Sequence, residues 1–132
     1  MSIFDISGRA MSAQMVRLNA TASNMANAGT VTGSAEDAYR ARRPIFAAAL
    51  DEASAARATV DVERVVAMDQ APERRHEPGH PLADADGYVW AAAVDPNAEM
   101  VDMMEAARQY QNNVEVLRTA RSLMMSTLRM GQ

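Results

Sequence analysis

Apolar residues recur at helical spacing at the two ends of the chain and lose that spacing in between. Near the start, Phe4, Gly8, Met11, Met15, Leu18, Ala22 and Met25 are separated by alternating steps of four and three, the seam of a heptad helix. No proline interrupts it, Asp5 or Ser7 stands where a cap belongs, and Asn27, Gly29 and Thr30 close it. A helix is expected over residues 3–28. Near the end, Met100, Met103, Ala107, Tyr110, Val114, Leu117, Arg121, Met124 and Leu128 repeat the spacing, broken only by Arg121. Asp95 caps this second helix, Pro96 takes its first position, and Arg129 and Gly131 mark its end. With about 33 helical residues it spans roughly 50 Å. A helix of that length cannot bury itself in a small domain, so it needs a partner helix, and the first is the obvious one.

The middle, residues 31–94, reads differently. Residues 30–34 (Thr, Val, Thr, Gly, Ser) are a loop signal. Residues 39–46 are strand-like, with Pro44 at an edge or bend. Residues 47–58 are rich in alanine, with helical propensity but strand signals on both sides, so their state stays open. Val60 and Val62 alternate with Asp61 and Glu63, and Val65 and Val66 continue the pattern with a slip of phase. Residues 70–82 hold Pro72, Pro78, Gly79 and Pro81 and are expected to be loop; Asp86-Gly87 is a turn before a strand at Tyr88, Val89 and Trp90. The expected fold is mainly α with a small β-rich insert: residues 1–30 a terminal helix, 31–94 the insert, and 95–132 a second terminal helix, the two helices pairing as an antiparallel coiled coil.

Composition sharpens this. Of 132 residues, 27 are Ala and 11 Met, against 22 Leu, Ile, Val and Phe together. Alanine buries little area, so the core is thin and an elongated chain that completes its packing with neighbours is favoured over an independent globule. The faces opposite the helical seams support this. In the first helix that face carries Ser12, Asn19, Ser23 and Ala26 rather than charges, unlike a solvated helix. Amides cluster on both helices; Asn19, Asn24, Asn27, Gln111 and Asn113 are placed either to fix register across the seam or simply to meet solvent. The net charge of −4 argues against nucleic acid as the main partner. All 13 basic residues are Arg, and there is no cysteine, which excludes disulfides and thiolate chemistry. No apolar run reaches membrane-spanning length, and the first residues lack the basic flank of a cleaved signal peptide.

Candidate chemistry is sparse. His76-Glu77-Pro78-Gly79-His80 has the letters of a zinc-protease motif, but that chemistry needs both histidines one helical turn apart, and Pro78 and Gly79 stand in the helix they require. A metal-dependent hydrolase on His76 and His80 is therefore the weaker alternative. Asp84-Ala85-Asp86-Gly87 departs from a calcium loop at the sixth and twelfth positions, Val89 and Asp95. No nucleophile elbow or phosphate loop is present, so neither catalytic nor metal nor cofactor-binding residues are expected. The methionines at seam spacing read as helix-to-helix packing.

Three motifs in order carry a resemblance. Phe4-Asp5-Ile6-Ser7-Gly8-Arg9-Ala10-Met11-Ser12-Ala13-Gln14 with Arg17-Leu18-Asn19 and Ala22-Ser23-Asn24-Met25-Ala26-Asn27-Ala28 resembles the N-terminal signature of the flagellar rod and hook axial proteins. Pro78-Gly79-His80-Pro81-Leu82-Ala83-Asp84-Ala85-Asp86-Gly87-Tyr88-Val89 resembles the central signature of one proximal-rod branch, favouring it over a FlgB-like one. Glu99-Met100-Val101-Asp102-Met103-Met104 and Tyr110-Gln111-Asn112-Asn113-Val114-Glu115-Val116-Leu117 resemble the C-terminal helix. Val94-Asp95-Pro96 departs from the family's pattern at the start of that helix. The resemblance implies a structural subunit without enzymatic activity or cofactor, stacked helically in the periplasmic rod that carries torque from motor to hook. It also implies export unfolded through the flagellar type III apparatus. Its implied partners are copies of itself, the rod proteins FlgB, FlgF and FlgG, FliE, and the MS ring. On this reading the two seams are subunit interfaces, and the free chain has poorly ordered ends that order on polymerisation.

Overall fold

The computed structural model describes residues 2–51 and 54–131, with backbone alone at residue 51 and across residues 54–57. In chain order the elements are α1 (Ile3–Asn27), β1 (Val31–Thr32), β2 (Arg42–Asp51), β3 (Ser54–Ala67), β4 (Glu73–His76), β5 (Tyr88–Ala91) and α2 (Pro96–Met130). The chain is thus two terminal helices with small antiparallel sheets between them.

The helix starts follow from side-chain chemistry. Ser2, rather than Asp5 or Ser7, caps α1. Its Oγ accepts from the Asp5 amide at 3.1 Å, while an Asp5 carboxylate oxygen accepts from the Ser2 amide at 2.9 Å. This reciprocal pair is a capping box, and only Ser2 has an acid three residues on. The Ser2 amide, and then its hydroxyl, hold the Asp5 carboxyl below its usual pKa. Ser7 is instead buried on the packed side of the helix. The start of α2 is as expected: Asp95 Oδ1 accepts from the Asn97 and Ala98 amides, and Pro96 occupies the first turn.

β2 and β3 form a hairpin that answers the open question over residues 47–58. They are strand on both sides, and the connecting residues 52–53 lie outside the described residues. Cross-strand pairing with the valine-rich stretch of β3 overrides alanine's helical preference. The slip of phase after Val62 is a bulge: Ile45 pairs with Arg64 and Phe46 with Val62, which leaves Glu63 unopposed.

The second sheet has the order β1-β5-β4. It corrects two expectations. Residues 30–34 hold β1, and residues 70–82 hold β4, so neither stretch is wholly loop. Pro72 and Pro78 bracket β4 without falling inside it, and β4 is a fully exposed edge, where such flanking is tolerated. The turn before β5 is as expected. Gly87 has φ +80°, and a Cβ there would stand 2.9 Å from Pro78 Cβ. Asp84 Oδ1 accepts from the Asp86 and Tyr88 amides at 3.0 and 2.8 Å, which spends this carboxylate on the turn.

Ala41 links the segments that leave β5 and β3, since its N–H donates to Ala93 O and its C=O accepts from Met68 N. The core here is small-residue throughout: Ala13, Ala38, Ala41, Ala91, Ala92, Ala93 and Ala106 are buried, and among the described residues Val89 is the one larger aliphatic residue in that core. Alanine burial yields little hydrophobic free energy, which places more weight on polar contacts.

Candidate assembly interface

The helices meet through a polar junction. Contacts descend α2 as they climb α1: Arg17 reaches Glu105, Thr21 reaches Asp102, and Asn24 reaches Glu99. The packed stripe of α1 is small and polar, with Ser7, Ala13, Thr21 and Asn24 buried and Ala10, Gln14 and Arg17 half-buried beside them. That stripe lies to one side of the expected seam.

Asn24, fully buried, uses every hydrogen-bonding site it has. Its Oδ1 accepts from the Arg42 amide at 2.8 Å and the Tyr39 hydroxyl at 3.0 Å; its Nδ2 donates to Arg42 O at 2.9 Å and Glu99 Oε2 at 3.0 Å. The carboxamide thus pairs with both backbone groups of Arg42, as a neighbouring strand would, and ties β2 to α1. Glu99 is 1% exposed. Arg43 grips it with both guanidinium nitrogens, Nη2 to Oε1 at 2.6 Å and Nη1 to Oε2 at 2.9 Å, a two-pronged pair with fixed geometry. Arg43 Nη1 also reaches Asp102 Oδ2 at 3.2 Å, and Arg17 Nη2 bonds Asp102 Oδ1. Glu99 sits in the first turn of α2, where the helix dipole favours an anion.

Burial by itself would raise the Asp102 carboxyl, but the Arg17 hydrogen bond and the charges of Arg17 and Arg43 outweigh it and hold the group below its usual pKa. The ionised form is therefore the one the fold prefers. The stability it adds is fully present above the ordinary carboxylate range and is lost as pH falls below about 4. Urea midpoints are expected to drop below that pH, and Asp102→Asn to be less stable near neutrality with a shallower acid loss. An unchanged acid profile in that variant would count against the junction.

The apolar seams are placed as follows. Phe4, Met15 and Ala22 are exposed, while Met11, Leu18 and Met25 are half-buried. On α2, Met103, Ala107, Tyr110, Val114 and Leu117 are half-buried, and Met100, Met124 and Leu128 are exposed. Every described residue of α2 from Arg121 on is exposed, and Ile3 lines an open hollow together with Val116, Ala120 and Leu123. The last turns of α2 thus run on past the start of α1. Of the amides, Asn24 alone crosses between elements by the hydrogen bonds described. Asn27 and Asn113 donate to Ser23 O and Gln109 O in their own helices, and Asn19 and Gln111 are exposed. Arg17, Arg43, Glu99 and Asp102 were not expected as a cluster; the spacing of Glu99 and Asp102 by three, on a helix opposite a lone mid-helix Arg17, was the available signal.

The two histidines do not share a helical face. His76 ends β4 with its ring 4.8 Å from that of Tyr88, and His80 Nδ1 accepts from the Leu82 amide in the following loop. Among the described residues no three His, Asp or Glu gather as metal ligands, and no helix is long and apolar enough to cross a membrane.

Comparison with known proteins agrees with this layout. Residues 4–33 match the family model for the flagella basal body rod protein, and residues 85–130 match that for the flagellar basal body rod FlgEFG protein C-terminal region. The flagellar basal-body rod protein FlgC of Salmonella typhimurium is 48% identical over 134 residues, covering all of this chain and 98% of that protein. FlgC of Yersinia enterocolitica is 49% identical over 133 residues with the same coverage. FlgC of Agrobacterium fabrum is 35% identical over 131 residues, covering 93% of this chain and 88% of that protein.

Proposed function

Since the chain belongs to the FlgC family and is a structural subunit of the flagellar basal-body rod, not an enzyme, we propose that its terminal helices are the building surfaces of that rod. Residues 1–30 and 95–132 pair as an antiparallel coiled coil and pack against equivalent helices of neighbouring subunits to form the wall of a tube. Residues 31–94 form the insert, which stiffens the joints between subunits. Neighbours are further copies of this chain, FlgB, FlgF and FlgG, with FliE and the MS ring at the base. The chain leaves the cell through the flagellar type III apparatus without a cleaved signal peptide and assembles in the periplasm. There the many helix contacts of the rod pass torque from motor to hook.

One observation carries this reading. Phe4, Met15, Met100, Val101, Met104, Leu123, Met124 and Leu128 are large apolar residues left exposed along both helices. A solitary domain seldom leaves so much apolar helix surface uncovered, whereas a subunit of a polymer requires it. Asn24 fixes the register of the helices from inside, so the outer faces stay free for neighbours.

The test is a charge placed in the α2 seam. Leu117, half-buried on α2, replaced by Asp sets an unpaired carboxylate into that seam. Swimming on soft agar is expected to fall to the level of a strain without flagella, with basal bodies lacking the rod beyond this subunit. Normal swimming in the variant contradicts the role given to the seam.

A further inference from the structure

The two ends of α2 carry unlike surfaces. At its head, Met100, Val101 and Met104 are exposed, Met104 by 63%. Asp95 and Glu105 stand open to solvent beside them, Glu99 and Asp102 are held in the junction beneath, and no base occurs among residues 95–105. Arg17 and Arg43 answer part of that charge from α1 and β2, and Arg108 borders it; the head remains negative. At its tail, Leu123, Met124 and Leu128 are exposed, Leu128 by 62%. Arg121 and Arg129 flank them, and no acidic residue follows Glu115.

Each patch leaves three large apolar side chains uncovered within about a turn and a half of helix. Their centres lie about 23 residues apart on one continuous helix, roughly 35 Å. A straight helix cannot bring its own tail to its own head, so the occupant of either patch comes from another molecule. Tail against tail sets arginine beside arginine, and head against head sets carboxylate beside carboxylate. Only head against tail brings the charges into complement.

We propose that the tail of α2 in one copy docks on the Met100–Val101–Met104 face of a second copy. This contact rests on the rod-subunit reading above and deepens it. Because it joins two different patches, it extends as an open series when the copies stand parallel along one axis.

The chain has no cysteine, which permits site-specific cross-linking. Two differently tagged full-length versions, Met104→Cys and Leu128→Cys, are produced together in flagellated cells. Basal bodies are isolated and treated with a short bismaleimide. The mixed-tag product is expected to exceed, by about tenfold, that from pairing Leu128→Cys with Met68→Cys, which lies beyond β3. Arg121→Glu with Arg129→Glu in the tail-bearing copy is expected to reduce it by a similar factor. Val101→Cys with Leu123→Cys reports the same contact where the first pair impairs assembly. Tail-to-tail product, or product with Met15→Cys on α1, at equal or greater yield overturns the assignment, as does rod formation with no product from either pair. Those outcomes leave the rod-subunit reading standing; absence of the chain from purified basal bodies would remove that reading and the contact with it.

Discussion

Arg43→Met is expected to cost the chain about 3–5 kcal/mol of unfolding free energy. Glu99 lies buried under Arg43 and is held by both guanidinium nitrogens. Removing the cation leaves the carboxylate with the Asn24 amide and the start of α2 as its remaining support. Asp102 loses a partner at the same time, though Arg17 still holds it. The melting temperature is expected to fall by roughly 10 °C or more. Adding Glu99→Gln removes the stranded charge, so the double variant is expected to be more stable than the sum of the two single losses by about 1 kcal/mol or more. A loss below about 1 kcal/mol for Arg43→Met, the range of an exposed ion pair, would show that the junction carries little.

Asn24→Leu is expected to cost about 3 kcal/mol or more, because four partners lose their hydrogen bonds together. The Arg42 amide and carbonyl, the Tyr39 hydroxyl and Glu99 Oε2 all face this one carboxamide. Each buried group left without a partner costs about 1–3 kcal/mol, and tyrosine, nearer the surface, recovers part of its share from water. Asn24→Asp is expected to be worse than its similar shape implies, since an oxygen then faces Arg42 O and the Glu99 carboxylate. Thermal unfolding measures the loss. Amide exchange at Arg42 locates it: this N–H is slow in the native chain and fast in Asn24→Leu. An Arg42 amide that stays equally slow would mean that β2 is held by something other than α1.

The helices were legible because their signals are local. Steps of three and four mark both, and Asp95 followed by Pro96 places the start of α2 to the residue. The turn at Asp86-Gly87 and the slip after Val62 were equally readable, the first as a positive φ and the second as the bulge at Glu63. The packed face of α1 was not. A seam drawn through Met11, Met15 and Leu18 assumes that the largest apolar residues face inward. In this chain the inward stripe is Ser7, Ala13, Thr21 and Asn24, and Thr21 and Asn24, with Arg17 beside them, hydrogen-bond residues some 75 to 85 positions away. No local periodicity reports such partners. β4 was hidden for a related reason: prolines on either side dominate the composition of residues 70–82, while the pairing that makes Glu73–His76 a strand comes from β5.

This division also explains the excess of apolar surface. The private interior is closed by alanines and by the polar junction, and Met15, Met100, Met104, Leu123, Met124 and Leu128 of the terminal helices are left uncovered. The account stands on that claim, and hydrogen exchange on the isolated chain and on purified rods tests it most directly. Amides of residues 3–15 and 118–130 are expected to exchange quickly in the free chain and slowly in the rod, while those near Asn24 and Glu99 stay slow in both. Strong protection of both ends in the free chain, unchanged on assembly, would contradict it.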